Sequence, residues 1–147
     1  MDGHDVLKAV LRADINNLQA TLDEIDQDYF NQAVDMILSA KHIYIIGISF
    51  PRYSKRTISA MKFARDHGAR CLGLTDGKVS PLNEISDVCL YTKSEMVSFL
   101  DSLVAPLSMI NALIMAVSAR DRARTFETFR ELENVWKEYE VYGTVES

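Results

Sequence analysis

Residues 42–57 read HIYIIGISFPRYSKRT, and this stretch decides the fold. A run of β-branched and apolar residues predicts a strand over residues 43–48. Its apolar residues are consecutive rather than alternating, as in a parallel strand that is covered on both faces. A polar turn follows at residues 49–54, and a helical pattern begins near Ser54. A strand, a polar turn and a helix in this order can present backbone N–H groups and a positive helix end to an anion.

Hydroxyl and cationic side chains lie in and just after this turn, and they are the candidate anion ligands. They are Ser49, Arg52, Ser54, Lys55 and Thr57. Each also has an ordinary structural interpretation. The serines can form a turn and a helix N-cap, the two cations can be surface charges, and the threonine can lie on the surface of a helix.

The rest of the chain alternates between helical and strand patterns around this unit. Two further strands are predicted at residues 70–75 and 87–92, where apolar runs are bounded by turn residues. Apolar spacing predicts five helices. The first three span residues 4–25, residues 26 or 28 to 40–41, and residues 54–67. The fourth starts at a Ser94 cap and ends near residue 119, and the last spans residues 126–139. Pro106 should bend the fourth of these helices or split it in two. This alternation predicts an α/β fold, with a parallel sheet covered by helices on both faces.

Polar residues collect where the predicted strands end, at residues 49–54, 75–80 and 92–94. In open α/β sheets, ligands bind beyond the carboxyl ends of the strands. Asp76 and Ser80 are therefore weaker ligand candidates, although they can also form a turn and cap Pro81. Glu84 and Glu95 also lie near predicted strand ends. Glu84 is a third weaker ligand candidate, and both glutamates are weak candidates for a general base.

Charge and cysteine content exclude several classes of protein. The formal net charge of −5 disfavours a nucleic-acid-binding surface, which would need a basic face. Cys71 and Cys89 fall inside predicted strands and are expected to be reduced core thiols, without a zinc site. Residues 1–20 lack a signal-peptide pattern, and the apolar stretch 103–117 is too short to span a bilayer. We therefore expect a cytoplasmic protein without a metal or other cofactor.

The sequence from residue 47 to residue 92, GISFPRYSKRTISAMKFARDHGARCLGLTDGKVSPLNEISDVCLYT, resembles the second half of a SIS (sugar isomerase) domain. More narrowly, it resembles the sugar-sensing domain of the RpiR/MurR family of bacterial transcription regulators. The resemblance continues in FLDSLVAPLSMINALIMAV and LENVWKEYEVY, and extends back through VLRADINNLQATLDEID and AVDMILSAKHIYIIG. It implies a three-layer α/β/α, flavodoxin-like SIS fold that binds a phosphorylated sugar or amino sugar.

The chain departs from this family in three respects. The family carries an N-terminal helix-turn-helix DNA-binding domain, and the resemblance here begins after it, so no direct nucleic-acid contact is expected. Residues 43–47 resemble the end of the family's first strand and residues 48–53 the end of its third, which would leave about three of five strands. In the family's phosphate loop, Ser-x-Ser-Gly-x-Ser/Thr, Ser49 and Ser54 match, whereas Pro51 and Arg52 replace Ser-Gly. Arg52 could contact a phosphate with two hydrogen bonds.

The resulting prediction is a single, shortened SIS domain over residues 1–147. Residues 1–26 would form a leading linker or dimerisation helix, and residues 27–142 the α/β core with its C-terminal helices. The expected function is that of a sugar-phosphate sensor without catalysis, acting as a homodimer and away from membranes. Two alternatives stay open: a sugar-phosphate aldose–ketose isomerase, and an internally deleted remnant that acts only in dimerisation.

Overall fold

The computed structural model describes residues 3–39, 45–95 and 101–139. Five helices and three strands follow one another in the order expected from the sequence. They are α1 (Gly3–Glu24), α2 (Gln27–Leu38), β1 (Ile45–Ile48), α3 (Lys55–Asp66), β2 (Cys71–Thr75), β3 (Val88–Tyr91), α4 (Val104–Arg120) and α5 (Arg122–Glu138). Residues 1–2, 40–44, 96–100 and 140–147 lie outside the described residues. They include the predicted start of the first strand and the C-terminal tail.

The three strands form one parallel sheet in the order β1-β2-β3. Gly47 pairs with Gly73, and Gly73 pairs in turn with Cys89. This confirms the predicted parallel α/β sheet of three strands. Because the strands are parallel and in register, the ends of all three reach the same edge of the sheet, which we call the carboxyl edge.

Helices cover both faces of β2 and β3, whereas the predicted cover on both faces of β1 is wrong, because Ile46 and Ile48 remain about half exposed. On one face, the strand residues Leu72, Leu74, Val88 and Leu90 pack against α2 and α4 in a buried cluster. On the other face, Met61 of α3 packs with Cys71 and with two residues of the β2–β3 connection, Leu82 and Ile85. Both cysteines are buried and unoxidised, as expected of core thiols.

Local capping fixes the ends of the helices on either side of β1. The Asp26 side chain accepts hydrogen bonds from the backbone N–H groups of Asp28 and Tyr29, and it caps α2 as predicted. Ser54 caps α3 in the same way, through the backbone N–H of Thr57. At the other end of α3, Gly68 has a φ of 83°, the left-handed conformation in which glycine commonly ends a helix.

The predicted start of the fourth helix at Ser94 is wrong, since Ser94 and Glu95 are not helical, and residues 96–100 of the prediction lie outside the described residues. Residues 101–103 are not helical, and α4 begins only at Val104. Pro106 therefore lies in the first turn of α4 and neither bends nor splits it. The physical reason is that the first N–H groups of a helix have no intrahelical acceptor, so proline, which has no N–H, loses nothing there.

Two apolar surfaces remain exposed among the described residues. One side of β1 pairs with no described strand, and the side chains of Ile46 and Ile48 are 48% and 44% exposed. They line an open apolar groove of about 380 Å³ with residues of α4, among them Ile110, Ile114 and Val117. Helix α5 has no buried residue, although it carries the predicted apolar stripe.

Candidate anion-binding site at the carboxyl edge of the sheet

The loop that joins β1 to α3, residues 49–54, folds back on itself at the carboxyl edge. Ser49 is buried, and its backbone N–H donates to the carbonyl of Leu74 at 3.1 Å. Its Oγ accepts a hydrogen bond from the backbone N–H of Ser54 at 3.0 Å. Ser49 therefore ties the beginning of the loop to its end and to the neighbouring strand.

Ser54 places the start of α3 at the open side of this loop. Its Oγ accepts a hydrogen bond from the backbone N–H of Thr57 at 3.3 Å, so the N-cap expected from the sequence is present. Thr57 thus takes part through its main chain, and Lys55 is exposed in the first turn. The positive end of the α3 dipole and the Lys55 ammonium lie on the same side of the loop.

Arg52 has an unusual backbone conformation. Its φ is 69°, and among the described residues it is the only one other than glycine with a positive φ. It stands where the phosphate-loop pattern has glycine, the residue that adopts this conformation without steric cost. The loop therefore has a left-handed backbone conformation at the position where the pattern has glycine, with an arginine side chain there.

The Arg52 guanidinium is held by one carboxylate. Its Nη2 lies 3.0 Å from Oδ2 of Asp101, a residue in the segment that leads into α4. The arginine side chain is 67% exposed, whereas that of Asp101 is only 18% exposed. Most of the guanidinium is thus open to a second anionic group.

A second loop, which follows β2, meets the first one. The Tyr53 hydroxyl donates to the Asp76 carboxylate, with distances of 2.9 and 3.1 Å to its two oxygens. The Thr75 Oγ1 lies 2.6 Å from the carbonyl oxygen of Ser49 and 2.8 Å from the Oγ of Ser80. Asp76 and Ser80, the weaker candidates, are therefore next to the main loop.

The protonation of Tyr53 is fixed by these surroundings. Burial, and after it the hydrogen bond and negative charge of Asp76, raise the pKa of the Tyr53 hydroxyl. The phenol consequently keeps its proton at neutral pH and remains a donor to the carboxylate. The contact joins two loops that are 23 residues apart in the sequence.

The chain matches the SIS domain family over residues 25–116, which is more than half of its length. This chain is a SIS domain. The matched segment includes the three strands, α2 and α3, and most of α4. The SIS family expected from residues 47–92 is therefore confirmed.

Named relatives of this SIS domain are transcription regulators. An uncharacterized HTH-type transcriptional regulator of Caldanaerobacter subterraneus subsp. tengcongensis is 29% identical over 112 residues. The match covers 74% of this chain but only 39% of that regulator. The chain thus spans about two fifths of the length of this relative.

Two solved structures share the fold. The sugar isomerase domain of an RpiR transcription factor from Sphaerobacter thermophilus aligns with a TM-score of 0.79 and 22% identity, over 85% of this chain and 96% of that one. The Vibrio vulnificus NanR protein, solved in complex with ManNAc-6P, aligns with a TM-score of 0.73 and 14% identity, over 93% of this chain and 70% of that one. Both alignments confirm the SIS architecture.

A described hydrogen bond of Glu84 is with the last turn of α3. Its carbonyl accepts a hydrogen bond from Nη1 of Arg65 at 2.6 Å. Arg65 lies in the last turn of α3, whereas Ser54 caps the first turn, and eleven residues of helix span about 16 Å. Glu95 lies nearer the carboxyl edge, where its side chain is exposed.

Sequence reasoning missed two residues that complete this site. Tyr53 was inside the quoted turn but carries no charge, so nothing marked it as the partner of Asp76. Asp101 lies 49 residues beyond Arg52, and the pattern placed it inside a continuous helix. In the part of the chain that the structure describes, no cluster of three or more His, Cys, Asp or Glu residues could hold a metal ion.

None of the described helices is long and apolar enough to cross a membrane. The most apolar of them, α4, has 17 residues and packs on the sheet.

Proposed function

We propose that this SIS domain is the ligand-sensing part of a bacterial transcription regulator and binds a phosphorylated sugar or amino sugar. The observation that carries the proposal is the 49–54 loop. It places the largely exposed Arg52 guanidinium beside the capped start of α3, at the carboxyl edge of a parallel sheet. The regulators among its relatives, and the ManNAc-6P complex of NanR, support the same ligand class.

Each residue of the loop would have a distinct role toward a phosphate. Arg52 would form charge-assisted hydrogen bonds through the exposed part of its guanidinium, each contributing about 1.5–3 kcal/mol. Lys55 and the first turn of α3 would add positive potential. Ser49 and Ser54 would hold the loop in shape, since their hydroxyls already accept hydrogen bonds from loop and helix N–H groups. The Thr57 N–H donates to the Ser54 Oγ, so Thr57 would likewise help to hold the start of α3 in shape.

The second loop suits the sugar rather than its phosphate. The Asp76 carboxylate repels a phosphate but accepts hydrogen bonds from sugar hydroxyl or ammonium groups. Tyr53 and Ser80 hold this part of the site in place through the network around Thr75. We therefore propose that the phosphate lies over Arg52 and the start of α3, with the sugar ring directed toward Asp76.

We propose that the domain binds this ligand without converting it. An aldose–ketose isomerase needs a general base close to the reacting carbons. Glu84 and Glu95 are both exposed, and the carbonyl of Glu84 contacts Arg65 in the last turn of α3. If the chain were an isomerase, it would turn over a sugar phosphate and lose that activity in Glu84→Gln or Glu95→Gln.

The test of binding is a calorimetric titration of the protein with ManNAc-6P and with glucose 6-phosphate in phosphate-free buffer. Arg52→Gly removes the guanidinium but permits the left-handed backbone, so the loop keeps its shape. Lys62→Ala, an exposed position on α3, removes one positive charge away from the loop and serves as the control. We expect Arg52→Gly to weaken binding at least tenfold and Lys62→Ala to have little effect. Equal affinities for all three proteins would contradict the proposed site.

The exposed side of β1 favours a second candidate function. A strand edge with unpaired backbone groups can pair with another chain, and Ile46 and Ile48 add exposed apolar surface. On this alternative the domain acts only by association, as a homodimer or with a longer regulator. It predicts concentration-dependent association and no stabilisation by any phosphorylated sugar.

A further inference from the structure

The ion pair between Arg52 and Asp101 lies within the proposed phosphate site. Its atoms, Nη2 and Oδ2, are 3.0 Å apart, and the carboxylate is the more buried partner. A carboxylate and a phosphate bind a guanidinium through the same N–H donors, in the same planar geometry. Asp101 and a bound phosphate would therefore use overlapping parts of one side chain.

The backbone of Arg52 makes this ion pair more than an ordinary surface contact. A residue with a side chain is disfavoured at a φ of 69°, and such conformations persist where surrounding contacts hold them. Asp101 supplies one such contact from a segment 49 residues away. It thus supports the left-handed conformation of Arg52 while occupying part of its guanidinium.

We propose that Asp101 is an internal competitor for the ligand phosphate and sets the affinity of the site. This inference rests on the proposed function. In the protein without ligand, Asp101 partly neutralises Arg52. A phosphate, which carries more charge and more acceptor oxygens, displaces Asp101 from Arg52. The measured affinity for the ligand is therefore reduced by the free energy of the ion pair that is lost.

The segment that carries Asp101 also contacts α1. The Ser102 Oγ lies 2.6 Å from Oδ1 of Asp14 on α1, and it accepts a hydrogen bond from the N–H of Val104 at the start of α4. Displacement of Asp101 would therefore move a segment that contacts α1 and leads directly into α4. The proposed competition gives the ligand a route to α1, the helix that leads into the domain.

The test compares wild type with Asp101→Asn in titrations with inorganic phosphate and with ManNAc-6P. The amide keeps the size of the side chain but lacks its charge. We expect both probes to bind about threefold to tenfold more tightly, as for the loss of a partly exposed ion pair. Glu95→Gln is the matched control, because it removes the same charge from an exposed position near the carboxyl edge. Thermal unfolding of each variant establishes that it is folded.

The double variant Arg52→Gly/Asp101→Asn separates competition from a general charge effect. If Asp101 acts through Arg52, its replacement brings no gain once the guanidinium is absent. Equal gains in Asp101→Asn and Glu95→Gln, or a gain that persists in the double variant, would overturn the inference and leave the proposed function standing. If neither wild type nor Asp101→Asn binds inorganic phosphate or ManNAc-6P, both this inference and the proposed function are overturned.

Discussion

Asn17 of α1 forms two hydrogen bonds with the main chain of Glu95, which follows β3. Its Nδ2 donates to the Glu95 carbonyl at 3.1 Å, and its Oδ1 accepts from the Glu95 N–H at 3.0 Å. Only 3% of Asn17 is exposed. One helical turn later, the Oγ1 of Thr21 accepts from the N–H of Lys93 at 2.8 Å. Polar contacts with the end of β3 thus hold α1 against the domain.

Replacement of Asn17 by alanine should destabilise the domain, because it leaves two backbone groups of Glu95 without their partners. The expected loss in free energy of unfolding is about 1–3 kcal/mol, measured by urea denaturation. The neighbouring Asn16 is exposed, so Asn16→Ala is the matched control and should change stability by less than about 0.5 kcal/mol. Equal effects of the two substitutions would show that the paired hydrogen bonds do not stabilise the fold.

Gly73 should not tolerate a side chain. A Cβ atom at this position would lie 2.5 Å from Oγ of Ser86 and 2.9 Å from Sγ of Cys89. We expect Gly73→Ala to cost about 1–3 kcal/mol of stability through overpacking. At Gly77 a Cβ would meet nothing within 4 Å, so Gly77→Ala should be tolerated. Thermal unfolding of the two variants compares them directly, and a stable Gly73→Ala protein would contradict the packing of β2 against β3.

Stability should decrease as the pH rises above about 9. Burial raises the pKa of the Cys89 thiol to about 11, against an ordinary value of 9.0. Between these values the folded protein keeps a proton that the unfolded chain releases, so unfolding becomes more favourable as the pH rises. Cys89→Ala removes this thiol, and its free energy of unfolding should fall less steeply than that of wild type from pH 9 to pH 11. Parallel pH profiles would contradict the prediction.

The exposed edge of β1 should promote association. A lysine at Ile46 would place a charge on the apolar groove beside this edge, a change that protects natural edge strands from pairing. Sedimentation velocity over a range of concentrations should show less association for Ile46→Lys than for wild type. Val79, which is 97% exposed away from this groove, provides the control Val79→Lys. Similar association of the two variants would place the contact elsewhere.

The features that the sequence predicted correctly depend on neighbouring residues. Asp26 and Ser54 cap helices that begin at the next residue, and Gly68 ends α3 two residues after its last helical position. The uninterrupted apolar residues of the strands likewise predicted a parallel sheet, although only β2 and β3 are covered on both faces. Such signals can be read along the chain because each depends on a few consecutive residues.

The features that sequence reasoning missed depend on contacts between distant residues. Asn17 and Glu95 are 78 residues apart, and Arg52 and Asp101 are 49 apart. No local pattern distinguishes these polar side chains from ordinary surface ones. The helix predicted from Ser94 failed for a related reason: the main chain of Glu95 is bound by Asn17, and Pro106 favours a helix start just before it.

A thermal unfolding scan in the presence of millimolar sugar phosphates tests the central claim most directly. We expect a cooperative transition whose midpoint rises with one phosphorylated sugar, following RT ln(1 + [L]/Kd), and does not rise with its dephosphorylated form. The rise should disappear in Arg52→Gly while that variant still unfolds cooperatively. A cooperative transition that no sugar phosphate shifts would contradict the proposal that this SIS domain is a sensor.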